Sequence, residues 1–288
     1  VESFEDLKII KMSGAGNTFL LIDNRKSSSR SLPDSIKHLA KPDIARRFCD
    51  IHFGIGADGF VFLEDSDNKE NAFRWDFYNS DGSHAQMCGN AARCVARYYF
   101  DFINNSKAKF SFESIAGIIQ VELLEKAQVQ VRMPAIHIYN MNLELRMPDG
   151  SFKFFSHLNT GVPHLVEELE STAHPHKFLE QSKYLRSHHG LPNEGANVTY
   201  YAVLASDEIS AITFERGVED FTLACGTGAV AAAYAYAFKT GVRWVKVKMP
   251  GGTLEVKFFE NNEFPIMSGP ATYIAEIKIN TEALHVQS

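Results

Sequence analysis

Apolar and polar positions along this 288-residue chain alternate in short runs far more often than they recur at helical spacing. FLLID (19–23), GFVFLE (59–64), FRWDFYN (73–79), VQVRM (129–133), VTYYAVLA (198–205) and LEVKFFE (254–260) are brief and rich in β-branched and aromatic residues. That pattern predicts strands. Three stretches carry helical spacing: SIKHLAKPDIARRFCD (35–50), interrupted by Pro42, NAARCVARYYFDF (90–102) and TGAVAAAYAYAFKTG (227–241). The last is rich in Ala, a strong helix former, and closes on Lys-Thr-Gly, a C-terminal stop. SSSRSLPDS (27–35) and EDSDNKEN (64–71) read as surface loops. Many short strands with few helices predict a mixed α+β protein rather than a doubly wound sheet.

The same pattern repeats inside the chain. FYNSDGSHAQMCGNAARCVARYYF (77–100) aligns without a gap on FERGVEDFTLACGTGAVAAAYAYA (214–237), placing Cys88 on Cys225 and Gly89 on Gly226. Upstream, GIGADGFVFL (54–63) resembles GANVTYYAVL (195–204), with Asp58 opposite Asn197. Downstream, SIAGIIQVELLE (114–125) matches MPGGTLEVKFFE (249–260), with Gly117 near Gly252. Three matches in one order indicate a duplication. They predict two pseudo-equivalent domains, each offering one Cys-Gly turn at the start of a small-residue helix, facing each other across an interdomain cleft.

Composition narrows the classes of function. Apolar residues make up 45% and charged residues 22%, which favours packed cores over disorder. A net charge of −6 argues against a nucleic-acid or anionic-membrane surface. No apolar run is long enough to span a bilayer. The start, VESFEDLKII, lacks the basic-then-apolar pattern of a secretory signal, although opening on Val leaves room for an upstream segment. Four cysteines, Cys49, Cys88, Cys94 and Cys225, are too few for a disulfide scaffold and suit reduced thiols in a cytoplasmic protein. Cys94 and Cys49 read as core thiols. His174, His176, His188 and His189 lie in polar stretches and are expected on the surface.

A thiol at a helix N-terminus sits beside unpaired N–H groups and a partial positive charge, which favours the thiolate. The glycine after it lets a ligand approach the backbone, whose N–H groups can hold a carboxylate. Two such turns suit proton transfer at a carbon bearing a carboxylate. One thiolate removes a proton from one face, and the opposite thiol delivers one to the other. No Walker loop or dinucleotide fingerprint is present, so no cofactor is expected. Cys88, Cys94 and His84 lack the paired CxxC spacing of a zinc site, and no metal is assigned. A cysteine hydrolase could draw on Cys88 and His164, but it would leave the second Cys-Gly turn unexplained.

GAGNTFLLID, GIGADG, YNSDGSHAQMCGNAARC, GANV, ERG…ACGTGA and MPGG, in this order, resemble diaminopimelate epimerase over nearly the whole chain. The resemblance implies two domains, 1–131 plus 271–288 and 132–270, each a mixed β-sheet or barrel around a central helix, with the active site between them. It implies conversion of LL-diaminopimelate to the meso form, for lysine and peptidoglycan precursor synthesis, and allows a homodimer. Carried over by position, Cys88 and Cys225 are the acid/base thiols, with His164 tuning one of them and Glu215 joining both catalysis and binding. Gly89, Asn90, Gly226 and Thr227 would hold the reacting carboxylate. Asn17, Asn79, Asn197, Glu215 and Arg216 would read the distal amino-acid end. Three positions depart from the family pattern: Val162 where Asn is common, Phe221 where Glu is usual, and Ala275 where an intersubunit Tyr is expected. The first two keep a racemase of broader specificity in view. A non-catalytic thiol metal-binding protein is the alternative from another class.

Overall fold

The computed structural model describes residues 7–34, 36–85, 87–259 and 264–279. The chain divides into two compact units, Val1–Val131 with Pro270–Ser288, and Arg132–Gly269. In the first unit run β1 (Leu7–Gly14), β2 (Asn17–Asp23), α1 (Lys41–Cys49), β3 (Gly59–Glu64), β4 (Arg74–Asn79) and α2 (Gly89–Phe102). β5 (Lys109–Ser114), β6 (Gly117–Leu123) and β7 (Gln128–Arg132) follow. In the second run β8 (His137–Arg146), β9 (Phe152–Asn159), β10 (Pro163–Glu168), α3 (Leu179–Arg186), β11 (Asn197–Ala205), β12 (Glu208–Glu215) and β13 (Asp220–Thr222). Then come α4 (Gly226–Thr240), β14 (Trp244–Met249), β15 (Gly252–Lys257) and β16 (Ile266–Pro270). The last strand, β17 (Thr272–Ile279), returns to the first unit beside β1.

The two units share one connectivity. In the first, β17, β1 and β2 pair antiparallel, β2–β3 parallel, β3–β4 antiparallel, β4–β5 parallel, and β5–β6–β7 antiparallel. In the second, β8, β9 and β10 pair antiparallel, β10–β11 parallel, β11–β12 antiparallel, β12–β14 parallel, and β14–β15–β16 antiparallel. The duplication read from sequence is thus a duplication of topology. Its details are sharper than the sequence alignment. Phe77 pairs with Val61, and its counterpart Phe214 pairs with Val198. That register puts Asp58 opposite Gly195 in the repeat, two positions from the Asn197 expected for it.

Each sheet wraps a helix. α4 packs against β9, β10, β11, β12, β14 and β15. Six flat strands spaced about 4.8 Å apart would reach well beyond a helix roughly 10 Å wide, so the sheet must curl around it. α2 likewise touches β1, β2 and β6, strands that a flat sheet would hold apart. Both helices are apolar or small on nearly every side, as a wrapped helix must be: α4 buries its run from Gly228 to Tyr236, and α2 buries Gly89 to Ala96. The shorter helices cover the outside. Ile44, Ala45 and Phe48 of α1 join a core with Leu20, Ile22, Phe60 and Phe62, while the alternate residues Phe19 and Leu21 point to the α2 side. In the second unit Leu185 of α3 packs with Phe155, Leu165, Val198 and Phe214.

Three sequence expectations change. Pro42 starts a helix instead of interrupting one: it lies in the first turn of α1, where the absent N–H has no partner to lose. Residues 36–39 form turns, and Ser35 lies outside the described residues. α3 was missed because its eight residues, LEQSKYLR, are too short and polar to display a periodic face. His188 is buried rather than solvated, with Nε2 bonded at 3.1 Å to the carbonyl of Arg146. Among the described residues, no helix is long and apolar enough to cross a membrane.

Candidate active site

Cys88 and Cys225 occupy the same structural position. Each is the residue that caps the N-terminus of its unit's wrapped helix, in extended backbone geometry. The other two cysteines are core groups: burial pushes the thiols of both Cys49 and Cys94 up to about 12. At neutral pH they are protonated packing residues.

In the first unit, β1 turns into β2 through Ala15 and Gly16, both at positive φ, and delivers Asn17 to the start of α2. The approach is close enough that a Cβ on Gly14 would lie 2.7 Å from the carbonyl oxygen of Asn90. Asn17 Oδ1 accepts from the Cys88 thiol at 3.8 Å and from Asn90 Nδ2 at 3.5 Å. Beneath them lies Arg93, fully buried, whose guanidinium donates to Asn90 Oδ1 at 2.8 Å, Gly89 O at 3.3 Å and Pro270 O at 3.2 Å. Arginine can only donate, so Asn90 must turn its oxygen inward and its NH2 toward Asn17. Burial lowers the Arg93 pKa to about 10, which leaves it cationic at neutral pH beneath the helix start. Asp58 accepts from the Thr18 backbone N–H at 2.6 Å and its hydroxyl at 2.9 Å, fixing the residue after Asn17. Asn79 ends β4 exposed, its Nδ2 donating to Ser83 Oγ at 2.9 Å.

In the second unit the environment differs. Cys225 is 5% exposed, and its sulfur accepts from the Gly228 N–H at 3.4 Å and lies 3.4 Å from Thr227 Oγ1. Burial holds the thiol pKa well above its ordinary value, and the Glu215 carboxylate raises it further, by its charge and by accepting the S–H. Thr227 and Gly228 pull the other way, stabilising the thiolate. Glu215 closes β12 and accepts a short hydrogen bond from the Thr222 hydroxyl. His164 sits on β10 beside Asn197, its partner in the parallel β10–β11 ladder. Its Nδ1 lies 2.9 Å from Thr199 Oγ1 and its Nε2 3.0 Å from Thr227 Oγ1. Burial lowers the His164 pKa to about 3, so the ring is neutral. Asn197 Oδ1 accepts from the Arg216 backbone N–H at 2.8 Å, while the Arg216 guanidinium donates to Glu194 O at 2.8 Å. The Arg216 side chain therefore pairs with the Glu194 segment, including its carboxylate at 3.6 Å. Thr160 Oγ1 donates to the Thr227 carbonyl at 2.9 Å, tying the helix start to the strand end before Val162.

Asn17, Cys88, Gly89 and Asn90 thus form one cluster, and His164, Asn197, Glu215, Arg216, Cys225 and Thr227 share another. Asn79 is engaged in its own turn. Sequence reasoning missed Arg93, Thr160, Thr199 and Thr213. For Arg93, Thr199 and Thr213 the available signal was a charge or hydroxyl inside a largely apolar run, as in NAARCV, NVTYYAV and SAITFE, where burial demands a partner.

A family model described as diaminopimelate epimerase matches residues 9–138 and 156–274. The diaminopimelate epimerase of Aquifex aeolicus is 34% identical over 282 residues, covering 95% of this chain and 98% of that protein. That of Carboxydothermus hydrogenoformans is 35% identical over 282 residues, covering 93% and 97%. Among solved structures, a hydroxyproline epimerase from Agrobacterium vitis superposes with a TM-score of 0.69 at 11% identity, covering 95% of this chain and 92% of that one, which is a likeness of fold. With a match running through both cysteine-capped helices, the chain belongs to the diaminopimelate epimerase family, and its activity is that of an isomerase acting on diaminopimelate.

Proposed function

We propose that Cys88 and Cys225 are the acid/base pair of a cofactor-independent epimerisation of LL-diaminopimelate to its meso isomer. The observation that carries this reading is the repeated position of the two thiols, each capping a buried helix whose first turn offers backbone N–H groups. Inversion needs a base on one face of the α-carbon and an acid on the other, and a duplicated thiol supplies both. The N–H groups at Gly89–Asn90 and Gly226–Thr227 hold the carboxylate. As the α-proton leaves, negative charge spreads onto that carboxylate, where fixed donors stabilise it more than they stabilise the ground state. The thiol that began protonated then delivers its proton, and the pair ends with its charge exchanged.

Glu215 accepts the Cys225 S–H hydrogen bond until that proton passes to the α-carbon, and its carboxylate then serves the substrate ammonium. Asn17, Asn79, Asn197 and Arg216 read the distal end; Arg216 provides the fork for a carboxylate once it exchanges the Glu194 carbonyl for substrate. Four cysteines in 288 residues are too few for a disulfide scaffold, which supports a cytoplasmic location where thiols stay reduced.

Turnover of LL-diaminopimelate in heavy water tests the scheme. Solvent deuterium should enter one α-carbon as the meso isomer appears, and Cys88→Ala or Cys225→Ala should each cut epimerisation by about 10³-fold or more. Full activity in either variant rejects the two-thiol mechanism. Racemisation of single amino acids at a comparable rate would instead favour the broader specificity that Val162 and Phe221 suggest.

A further inference from the structure

The second unit holds an unbroken ladder of hydrogen-bonding side chains that ends on the Cys225 sulfur. Thr213 Oγ1 lies 3.1 Å from Thr199 Oγ1, which lies 2.9 Å from His164 Nδ1. His164 Nε2 lies 3.0 Å from Thr227 Oγ1, which lies 3.4 Å from Cys225 Sγ. Thr199, Thr213 and His164 are fully buried. The start of α4 is pressed onto this ladder: a Cβ on Gly228 would fall 2.2 Å from Thr213 Oγ1 and 3.2 Å from Thr199 Oγ1.

The direction of the ladder follows from counting protons. The thiol has a single proton, and the Glu215 carboxylate, which can only accept, takes it. Thr227 must therefore donate its hydroxyl proton to the sulfur. Its oxygen then accepts from His164 Nε2–H. A neutral imidazole carries one N–H, so Nδ1 is the acceptor and Thr199 donates to it. Thr199 in turn accepts from Thr213. Asn197 Nδ2, 3.5 Å from Nε2, finds no acceptor there in this tautomer and is left for substrate.

We propose that Thr199 and Thr213 are positioning residues that lock His164 in the Nε2–H tautomer and so aim the Thr227 hydroxyl at Cys225 as a thiolate-stabilising donor. The inference rests on Cys225 acting as an acid/base, but its effect is on the sulfur itself and is readable without turnover. The titratable groups facing Cys225 are Glu215 from β12 and, through Thr227, His164 from β10; Glu215 opposes ionisation, and the ladder favours it.

The test is the pH dependence of alkylation at Cys225 and Cys88, followed separately by peptide mass, in the parent, Thr199→Val and Thr199→Ser. Valine keeps the branched shape and removes the hydroxyl. Below the thiol pKa, Thr199→Val should slow alkylation of Cys225 by about three- to tenfold and shift its profile to higher pH, with Cys88 unmoved and serine restoring the parent profile. A profile for folded Thr199→Val that superposes on the parent overturns the ladder. If the valine variant fails to fold, nitrogen-15 spectra of the parent, with His164 assigned by its loss in His164→Gln, decide the matter. The Nε2–H form is expected, and the Nδ1–H form rejects the proposal. Full epimerase activity in Cys225→Ala would reject the catalytic reading while leaving the alkylation result standing.

Discussion

Four cysteines in one chain show how far residue type alone carries a function. Cys49 and Cys94 differ from Cys88 and Cys225 in position, not chemistry: burial pushes both thiols up to about 12 and keeps them protonated at neutral pH. Cys94 should therefore be replaceable. Cys94→Ala is expected to keep epimerase activity within about twofold of the parent while costing about 1 kcal/mol of stability from the small void it leaves. Steady-state rates and denaturant melts on the same preparation check both halves. The capping pair was legible because a duplication put each thiol in the same frame. The environment of each was not. Whether a sulfur meets an amide oxygen, as Cys88 meets Asn17, or donors, as Cys225 meets Gly228 and Thr227, depends on residues far apart in the chain.

The elements that carry these residues meet without room to spare. The β1–β2 turn lies on the start of α2 at Gly14, and β11–β12 lies on the start of α4 at Gly228. A methyl at either place would collide with a fixed group, the Asn90 carbonyl at 2.7 Å or the Thr213 hydroxyl at 2.2 Å. Gly14→Ala and Gly228→Ala should each cost about 1–3 kcal/mol, because the helix start must move off its strands. Each should also lower kcat by more than tenfold, because the displaced turn carries the carboxylate-binding N–H groups. A variant that melts at the parent temperature with unchanged kcat would refute this packing argument at that site. The Ala-rich helix over 227–241 could be predicted from composition, and its stop at Gly241, in the left-handed region, from the Lys-Thr-Gly ending. The strands around it were harder. β8 is exposed along most of its length, so it lacks the apolar alternation that marks a strand.

At the scale of the whole molecule, folding stability should carry the mark of a buried histidine. Folded His164 is held near 3, whereas in the unfolded chain it titrates near 6.5. Between those values the unfolded state binds the extra proton. Stability on this account is complete above about pH 6.5 and drains as pH falls toward 3, by up to about 1.4 kcal/mol per pH unit. Calorimetric melts between pH 6.5 and 4.5 should show a shallower decline for His164→Gln than for the parent. Parallel declines would mean that His164 takes up its proton without unfolding.

What the chain alone determined was the repeat, the α+β class, the two helices that open on Cys-Gly, and the family. These are properties of local composition and order, and a duplication writes them twice. Only the tertiary structure decided that Arg93 is a buried cation orienting Asn90, and that three threonines and a histidine line up behind one sulfur. A hydroxyl in a strand looks the same in sequence whether it faces water or a neighbour. Its role is set by burial, which forces each polar group to find a partner and so turns isolated side chains into a directed ladder.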